Sequence, residues 1–518
     1  MKNFPLLRSL VAAALVPCAA AASVHPQQVA DIADLSLEQL TAITVTSAAR
    51  REQRQVEAAA SIYVITAADI RRSGATSLPE VLRLAPNLQV MRADTSQYVI
   101  SARGGLTTTA NKMLVLVDGR TIYTPLFSGV FYDAVVSNLE DIDRVEVISG
   151  PGSTLWGTNA VNGVINVISK KAAETRGGLL TAAAGEAERG GSLRYGWGSP
   201  SGAIRAYARH YDRDPHRLAS GASARDDSER SLLGVRGDWE RGRDTTMVQA
   251  EAYRADVGNL AGARDMQGGH VLGRWSRALA GGGALSLQGY YDRTEREHAG
   301  TFSEKRDTLD LELQHTFAPA PRHRLAWGAA HRSSRDHTPP TPALGFVPER
   351  RTLQLTSLYA QDELELGERT RLTLGLRAER NSYTGVEWLP NARVSYSLAP
   401  AQFVWAALTR TVRSPSRLDR DIVAPGRPPF AIVNNDTFES EVANVVEIGY
   451  RGNLTPAASL SLTAFHHDFT RLRTGEPAAA GGLMLANAGR GRIEGLEGWG
   501  DLRPSPDLRI AWGFTLMR

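Results

Sequence analysis

Cysteine is almost missing from this chain. The one instance in 518 residues, Cys18, sits in a stretch expected to be removed on export. A disulfide framework, a cysteine-ligated zinc site and a cysteine nucleophile are therefore excluded for the mature protein. Lysine is scarce too: positions 2, 112, 170, 171 and 305 carry it, and the rest of the 59 basic residues are arginine. Against 55 acidic residues the net charge is only +4, too slight over this length to argue for a nucleic-acid partner. After the N-terminus no run of about 18 apolar residues occurs, which excludes a helical membrane protein. No H-E-x-x-H or G-x-S-x-G is found among the residues, and His466 and His467, adjacent on a strand, would face opposite ways. No metal site, resident cofactor or enzymatic activity is expected. The 48 glycines and 25 prolines show no G-x-y period, and 42% apolar with 22% charged residues is a foldable composition rather than a disordered one.

What is present begins with an export signal. Lys2 and Arg8 precede a short apolar stretch from Ser9 to Val16, Pro17 breaks it, and Ala20-Ala21-Ala22 offers a cleavage site. The apolar run is too short to cross a bilayer of roughly 30 Å. Pro17 directly before Cys18 argues against lipidation. Residues 1–22 are read as a signal peptide, 23–55 as a periplasmic segment, 56–171 as one domain and 172–518 as another.

The two domains differ in period. In the first, short helices alternate with short strands. Thr66 to Asp69 and Ser77 to Glu80 have the spacing of capping boxes, Gly74 is a helix stop, and Leu78, Val81 and Leu82 share a helical face that Pro86 ends. Ile62–Ile65, Met113–Val117 and Val145–Ile148 read as strands, with a turn at Asp118-Gly119. After Lys171 the period is two: Leu309, Leu311 and Leu313 alternate with Asp310, Glu312 and Gln314, and Leu372, Leu374 and Leu376 alternate with polar neighbours. Short turns such as Gly281-Gly282-Gly283 alternate with long loops at 212–229, 337–349 and 414–441. This predicts a mainly β protein: an antiparallel transmembrane barrel of roughly 17 strands, each of about 9–14 residues, with a small α/β domain before it. A soluble β-sandwich or solenoid is the alternative. Charged inward faces disfavour it, as do Trp197, Tyr207, Tyr211, Trp239, Tyr253, Trp275 and Tyr290 near strand ends, where interfacial aromatics belong.

Several stretches then carry a family resemblance: Leu84 to Val90, Ile100-Ser101-Ala102-Arg103-Gly104, Val115 to Arg120, and Ile142 to Ile168, which reads IDRVEVISGPGSTLWGTNAVNGVINVI. In this order they resemble the plug domain of TonB-dependent outer-membrane receptors. The resemblance implies an N-terminal plug housed in the lumen of a barrel of about 22 strands. The plug motif residues it marks are Arg103, Gly104, Asp118, Gly119, Arg120, Gly150, Pro151, Gly152, Gly157, Asn162, Gly163 and Asn166, with a structural or gating role. The glycine run at 150–157 could suggest a phosphate loop, but Thr158 stands where that loop needs lysine. Tight turns packed inside a barrel are the other reading, with Asn159, Asn162 and Asn166 satisfying backbone groups. Arg103, Arg120 and Tyr123 are candidate ligand contacts; the arginines could instead pair with acids on the barrel wall.

Ile43-Thr44-Val45-Thr46-Ser47-Ala48 resembles the TonB box, a short β-branched segment able to add to the edge of a partner's sheet. An ordinary first plug strand is the alternative. Asp34 to Leu40, within a lead-in at 31–42, looks like a helical segment of one subgroup. The resemblance implies an outer-membrane transporter of a Gram-negative bacterium. It would be a monomer in lipid, inserted by the barrel-assembly machinery and energised by TonB with ExbB and ExbD. The cargo would be a ferric siderophore, or else cobalamin, haem or a glycan; an arginine-rich lumen favours an anionic one. A passive porin-like barrel is the competing class. A signalling receptor is disfavoured, since that normally needs an extra domain before the box and only about 20 residues lie between Ser23 and it. Two departures stand out. The chain ends Thr515-Leu516-Met517-Arg518 rather than on an aromatic residue, and the strand count falls short of the family's. A fragment is therefore expected, with a smaller closed barrel as the alternative.

Overall fold

The structure, a computed structural model, describes residues 44–518 apart from 261, 480 and 506. The expected signal peptide, the 31–42 lead-in and Ile43 lie outside the described residues. The chain begins with a two-residue hairpin, β1 (Thr44–Val45) with β2 (Gln53–Arg54). It continues through β3 (Ser61–Thr66), α1 (Ala67–Ser73), α2 (Leu78–Leu82), β4 (Gln89–Arg92), β5 (Tyr98–Ser101), β6 (Met113–Val117), β7 (Arg120–Thr121), β8 (Ile142–Ser149), α3 (Ser153–Trp156) and β9 (Gly163–Ser169). Five of these strands form one sheet in the order β3-β8-β9-β6-β7, with β6 and β9 parallel. Both faces are buried, which explains runs such as Met113 to Val117 with no polar alternation. Ile65, Leu78, Leu82, Val115, Val147 and Ile165 fill one side, and Ile62, Val64, Leu114, Ile148 and Val164 the other.

The local signals acted unevenly. Thr66 and Asp69 form the full capping box of α1, and Gly74 ends it at φ 67°. The box expected at Ser77 does not form: Pro79 occupies the first turn of α2 and Ser77 makes no side-chain cap. Glu80 instead accepts from Tyr98 Oη at 2.7 Å and Arg83 Nε at 2.7 Å. Tyr98, farther along the chain, and Arg83 thus take the carboxylate in place of the orphan backbone groups.

The second part is a meander: β10 (Gly177–Ala184), β11 (Glu188–Ser199), β12 (Gly202–Arg213), β13 (Ser228–Arg241), β14 (Asp244–Val257), β15 (Arg264–Ala278), β16 (Ala284–His298), β17 (Phe302–Phe317), β18 (His323–His337), β19 (Gly345–Phe346), β20 (Arg350–Glu365), β21 (Thr370–Asn381), β22 (Gly385–Ala399), β23 (Gln402–Arg413), α4 (Arg417–Arg420), β24 (Ile422–Val423), β25 (Ile432–Val433), β26 (Glu441–Thr455), β27 (Ala458–Pro477), β28 (Leu483–Ser505) and β29 (Leu508–Met517). Omitting β19 and β24, which pair with each other, these form one 18-stranded sheet. One member, β25, is a two-residue loop segment parallel to β28, so seventeen long strands remain, in agreement with the count from period alone. Several exceed the expected length, reaching 20 and 23 residues in β27 and β28, because their hairpins continue toward the long-loop end. Among the described residues no pairing joins β10 to β29.

The strand faces are those of a membrane barrel. On β17, Leu309 and Leu311 are 61% and 55% exposed while Arg306 and Asp310 are buried. The apolar side thus looks out and the charged side looks in. The sheet wraps the first domain: ion pairs or hydrogen bonds reach it from β12, β16, β22, β26, β28 and β29. The aromatic expectation needs correction. Trp197 and Trp239 face outward, but Tyr207, Tyr211 and Tyr290 are buried on the lumenal face. Strand parity decides this, since the inward residues of β12 are the odd-numbered ones.

Leu311→Arg places a cation on the lipid face of β17. An insertion cost of about 2–4 kcal/mol is expected near the bilayer midplane, read as a reduced fraction of heat-modifiable protein in the membrane, with Leu311→Ile behaving as wild type.

Candidate functional site

The plug meets the wall most tightly at Arg103. It follows β5 at φ 53°, and Asn162 Nδ2 holds its neighbours by donating to the carbonyls of Ala102 (2.9 Å) and Gly104 (3.2 Å). The guanidinium, with no exposed side-chain surface, donates to Glu447 of β26 and Glu497 of β28, both at 2.7 Å. It lies 3.2 Å from His467 Nε2 on β27 and 4.2 Å from the centroid of Phe465. Burial acts to lower the Arg103 pKa, but Glu497 and then Glu447 outweigh it and hold it above its ordinary value. Ser61 Oγ donates to the same Glu497 at 2.5 Å.

The glycine run beside this clamp is packing. Gly150 has φ 95°, and a Cβ there would press on Glu447 Oε1 and lie 2.8 Å from Arg103 Nη1. Arg393 donates to the Pro151 carbonyl at 3.2 Å, the Gly152 amide donates to Ala160, and Gly157 abuts Glu379. At Gly163 any Cβ would meet the Ile148 carbonyl across the sheet.

Asp118 and Gly119, at φ 51° and 84°, turn β6 into β7. The Asp118 carboxylate accepts from the Ser169 amide (2.9 Å) and hydroxyl (2.6 Å) and faces Arg236 at 3.5 Å. Burial works to raise its pKa, yet Arg236 and the Ser169 bonds hold it below the usual carboxylate value. Arg120 pairs with Asp292 of β16 at 2.7 Å. Tyr123 Oη donates to Ser128 Oγ at 3.0 Å. Arg120 and Tyr123 both line a cavity of about 230 Å³ between the plug and the wall, together with Tyr290, Arg306, Asp310 and Arg332. Arg103 is not among its lining residues.

Two features of this region had no motif. Arg306 is 7% exposed, yet its Nε and Nη1 have no hydrogen-bond partner. And the 414–440 loop docks on the plug apex: the Arg417 amide donates to Pro125 O at 3.0 Å and that of Leu418 to Leu126 O at 2.8 Å. Leu126, Phe127 and Phe346 pack beneath Leu418 and Ile422. The Ser416–Asp419 capping box that starts α4 is the one signal that could have announced this element. Separately, His210, Asp212 and Glu229 bring three ligand-type atoms within 4.8 Å of one another, on the outward face of β12 and β13 rather than in the lumen.

The segment resembling a TonB box is docked rather than free. Thr44 and Val45 face Arg54 and Gln53, and Val45 is buried in the second apolar cluster. The Thr46 and Ser47 amides donate to the Glu146 carboxylate at 3.0 and 2.8 Å. Trp156 Nε1 donates to Ser47 O at 2.9 Å, and Asn166 Nδ2 to Ser47 Oγ at 3.0 Å.

Comparison with known proteins bears directly on this arrangement. The family described as TonB dependent receptor-like, beta-barrel matches residues 174–518, and the TonB-dependent Receptor Plug Domain matches 54–164. The chain belongs to the TonB-dependent receptors. The receptor is 23% identical to the ferric enterobactin receptor PirA of Pseudomonas aeruginosa, over 89% of this chain and 75% of that protein. The crystal structure of that PirA superposes with a TM-score of 0.72 at 21% identity, over 88% and 85% of the two chains. The alcaligin receptor FauA of Bordetella pertussis gives 0.70 at 16% identity, over 92% and 82%. A shorter match, 35% over 143 residues, is to the vitamin B12 transporter BtuB of Vibrio vulnificus and covers 27% of this chain and 23% of that one.

Removing one partner of the clamp leaves two buried carboxylates uncompensated. Arg103→Ala is expected to cost about 3–5 kcal/mol of plug stability, measured by thermal unfolding in detergent. The triple change Arg103→Met, Glu447→Gln, Glu497→Gln should recover most of that loss.

Proposed function

We propose that the receptor imports a ferric siderophore of anionic type, a catecholate or carboxylate chelate, drawn through the barrel by TonB acting with ExbB and ExbD. The observation that carries this reading is the match of both domains to the family together with the similarity to a ferric enterobactin receptor across 89% of the chain. Arginines and carboxylates line the cavity in near-equal number, so the anionic cargo rests on the likeness to a ferric enterobactin receptor rather than on a net positive field. Tyr123 and Arg120 at the plug surface would meet the chelate. Arg103 would act by holding the plug to the wall. Cobalamin is the second reading, supported by the higher identity to BtuB over a shorter stretch.

The outer membrane has no nucleotide supply or ion gradient of its own, so work must arrive by contact from the inner membrane. Residues 43–48 would supply the handle. Strand pairing with TonB gives a row of main-chain hydrogen bonds that load together under a pull along the strand. In the docked state Glu146 holds the amides of Thr46 and Ser47, so TonB must compete with that carboxylate.

Deletion of residues 43–48 tests the reading. Surface binding of the chelate should persist and uptake should vanish, scored by growth under iron limitation on a panel of ferric chelates. Unchanged uptake would favour a passive barrel, and rescue by cobalamin alone would favour the second cargo.

A further inference from the structure

Arg120, Arg296, Arg332 and Arg377 line the cavity, and each meets a carboxylate at between 2.7 and 3.0 Å. Arg306 of β17 departs from that pattern. Its cross-strand neighbour on β18 is Asp336, the partner that the register offers it. Asp336 Oδ1 instead accepts from Arg417 Nη1, on α4 of the 414–440 loop. Arg306 Nε and Nη1 are therefore left without a hydrogen-bond partner among the described residues. Glu304, two residues away on the same face of β17, holds its Oε1 4.0 Å from Arg306 Nη1. That is beyond hydrogen-bond reach, and this oxygen is unpartnered as well. Glu304 is 2% exposed and Arg306 7%.

Open donors and acceptors on buried ionised groups are costly. The surroundings raise the cost. Phe302, next inward residue of β17, stacks on Phe131 of the plug at 6.2 Å, and both pack against Leu126, Phe127 and Phe346. An unfilled donor and an unfilled acceptor thus stand side by side under an apolar cover. Both side chains line the cavity of about 230 Å³, which is walled by strands from β12 to β21. Pockets that enclose a drug-sized ligand run to roughly 300–1,000 Å³. This one has room for a small acid, or for one arm of a larger chelate.

The chemistry of the pair selects the arm. A bare oxyanion suits Arg306 and is repelled by Glu304. A bare hydroxyl suits Glu304 and leaves the guanidinium without an anion. A catecholate bound to iron has given up both phenolic protons and has nothing to donate. A free hydroxycarboxylate carries both groups on adjoining carbons: its carboxylate accepts from the guanidinium, and its hydroxyl donates to Glu304 Oε1. We propose that Arg306 and Glu304 form a recognition subsite for a free hydroxycarboxylate arm of the cargo. The inference rests on the siderophore reading above and narrows it to its carboxylate branch.

Three acids of one carbon skeleton test it: malate, succinate, which lacks the hydroxyl, and aspartate, which replaces the hydroxyl by an ammonium. Each is titrated calorimetrically into the full chain in detergent. Malate should bind at least about tenfold more tightly than succinate, the worth of one hydrogen bond to an ionised group, and more tightly than aspartate. Glu304→Leu should bring malate and succinate to equal affinity, and Arg306→Met should abolish binding of both. Because Arg306→Met removes an unpaired buried charge, its unfolding temperature should stay level or rise, whereas a structural role for Arg306 requires it to fall. Equal affinities in the unaltered protein, preference for aspartate, or no binding of any of the three, as expected of a gap bridged by water alone, would each overturn the subsite. So would malate binding that survives Arg306→Met. None of those results touches TonB-driven import, whereas uptake unchanged by deletion of residues 43–48 would sink that reading even with malate bound.

Discussion

Each wall strand has to satisfy lipid on one face and a charged lumen on the other, and the rest of the structure follows from that. Leu309 and Leu311 look outward because their neighbours Asp310 and Glu312 look in. A plug that fits such a wall cannot be held mainly by apolar contact, since the wall offers few apolar side chains inward. It is held by ion pairs and by arginines reaching plug carbonyls, while its own apolar core closes on itself. The division is physical: the sheet inside the plug resists disassembly, and the plug–wall contacts are discrete bonds that can be broken in order.

Those bonds differ in kind. Arg103 is buried between two carboxylates, and breaking one partner of such a group is costly even where replacing the whole set is near neutral. Residues 50–60 are held instead by scattered contacts: Arg50 pairs with Glu312 of β17 and Arg51 with Glu363 of β20, and Arg451 of β26 donates to the carbonyls of Gln55, Ala58 and Ala60. A force applied through residues 44–48 reaches the second kind first. Gly150 shows how closely plug and wall are fitted, because a side chain there would collide with Glu447 of the wall as well as with Arg103.

The sequence made the strand count legible, since a period of two needs no tertiary information, and it made the plug legible through Thr66, Asp69, Met113–Val117 and the Asp118-Gly119 turn, where local chemistry and final structure agree. Other features depend on partners hundreds of residues away. Ser77 has the spacing of a cap, yet Glu80 is taken by Tyr98. Tyr207 and Trp197 both look like girdle residues in a linear reading, and only parity against the lumen separates them. The wall acids that meet Arg103 and Arg120, namely Glu447, Glu497 and Asp292, sit in ordinary alternating strands with nothing to mark them. The seal of the 414–440 loop on the plug apex is likewise made by backbone groups, which leave no trace in side-chain identity.

Hydrogen exchange of the full chain in detergent, followed by mass spectrometry under rising denaturant, tests the ordering most directly. Residues 44–60 should lose protection first and as a separate unit, while 142–149 and 163–169 stay protected until the barrel itself opens. Exchange of 44–60 together with those two strands, in one cooperative step, would contradict the account.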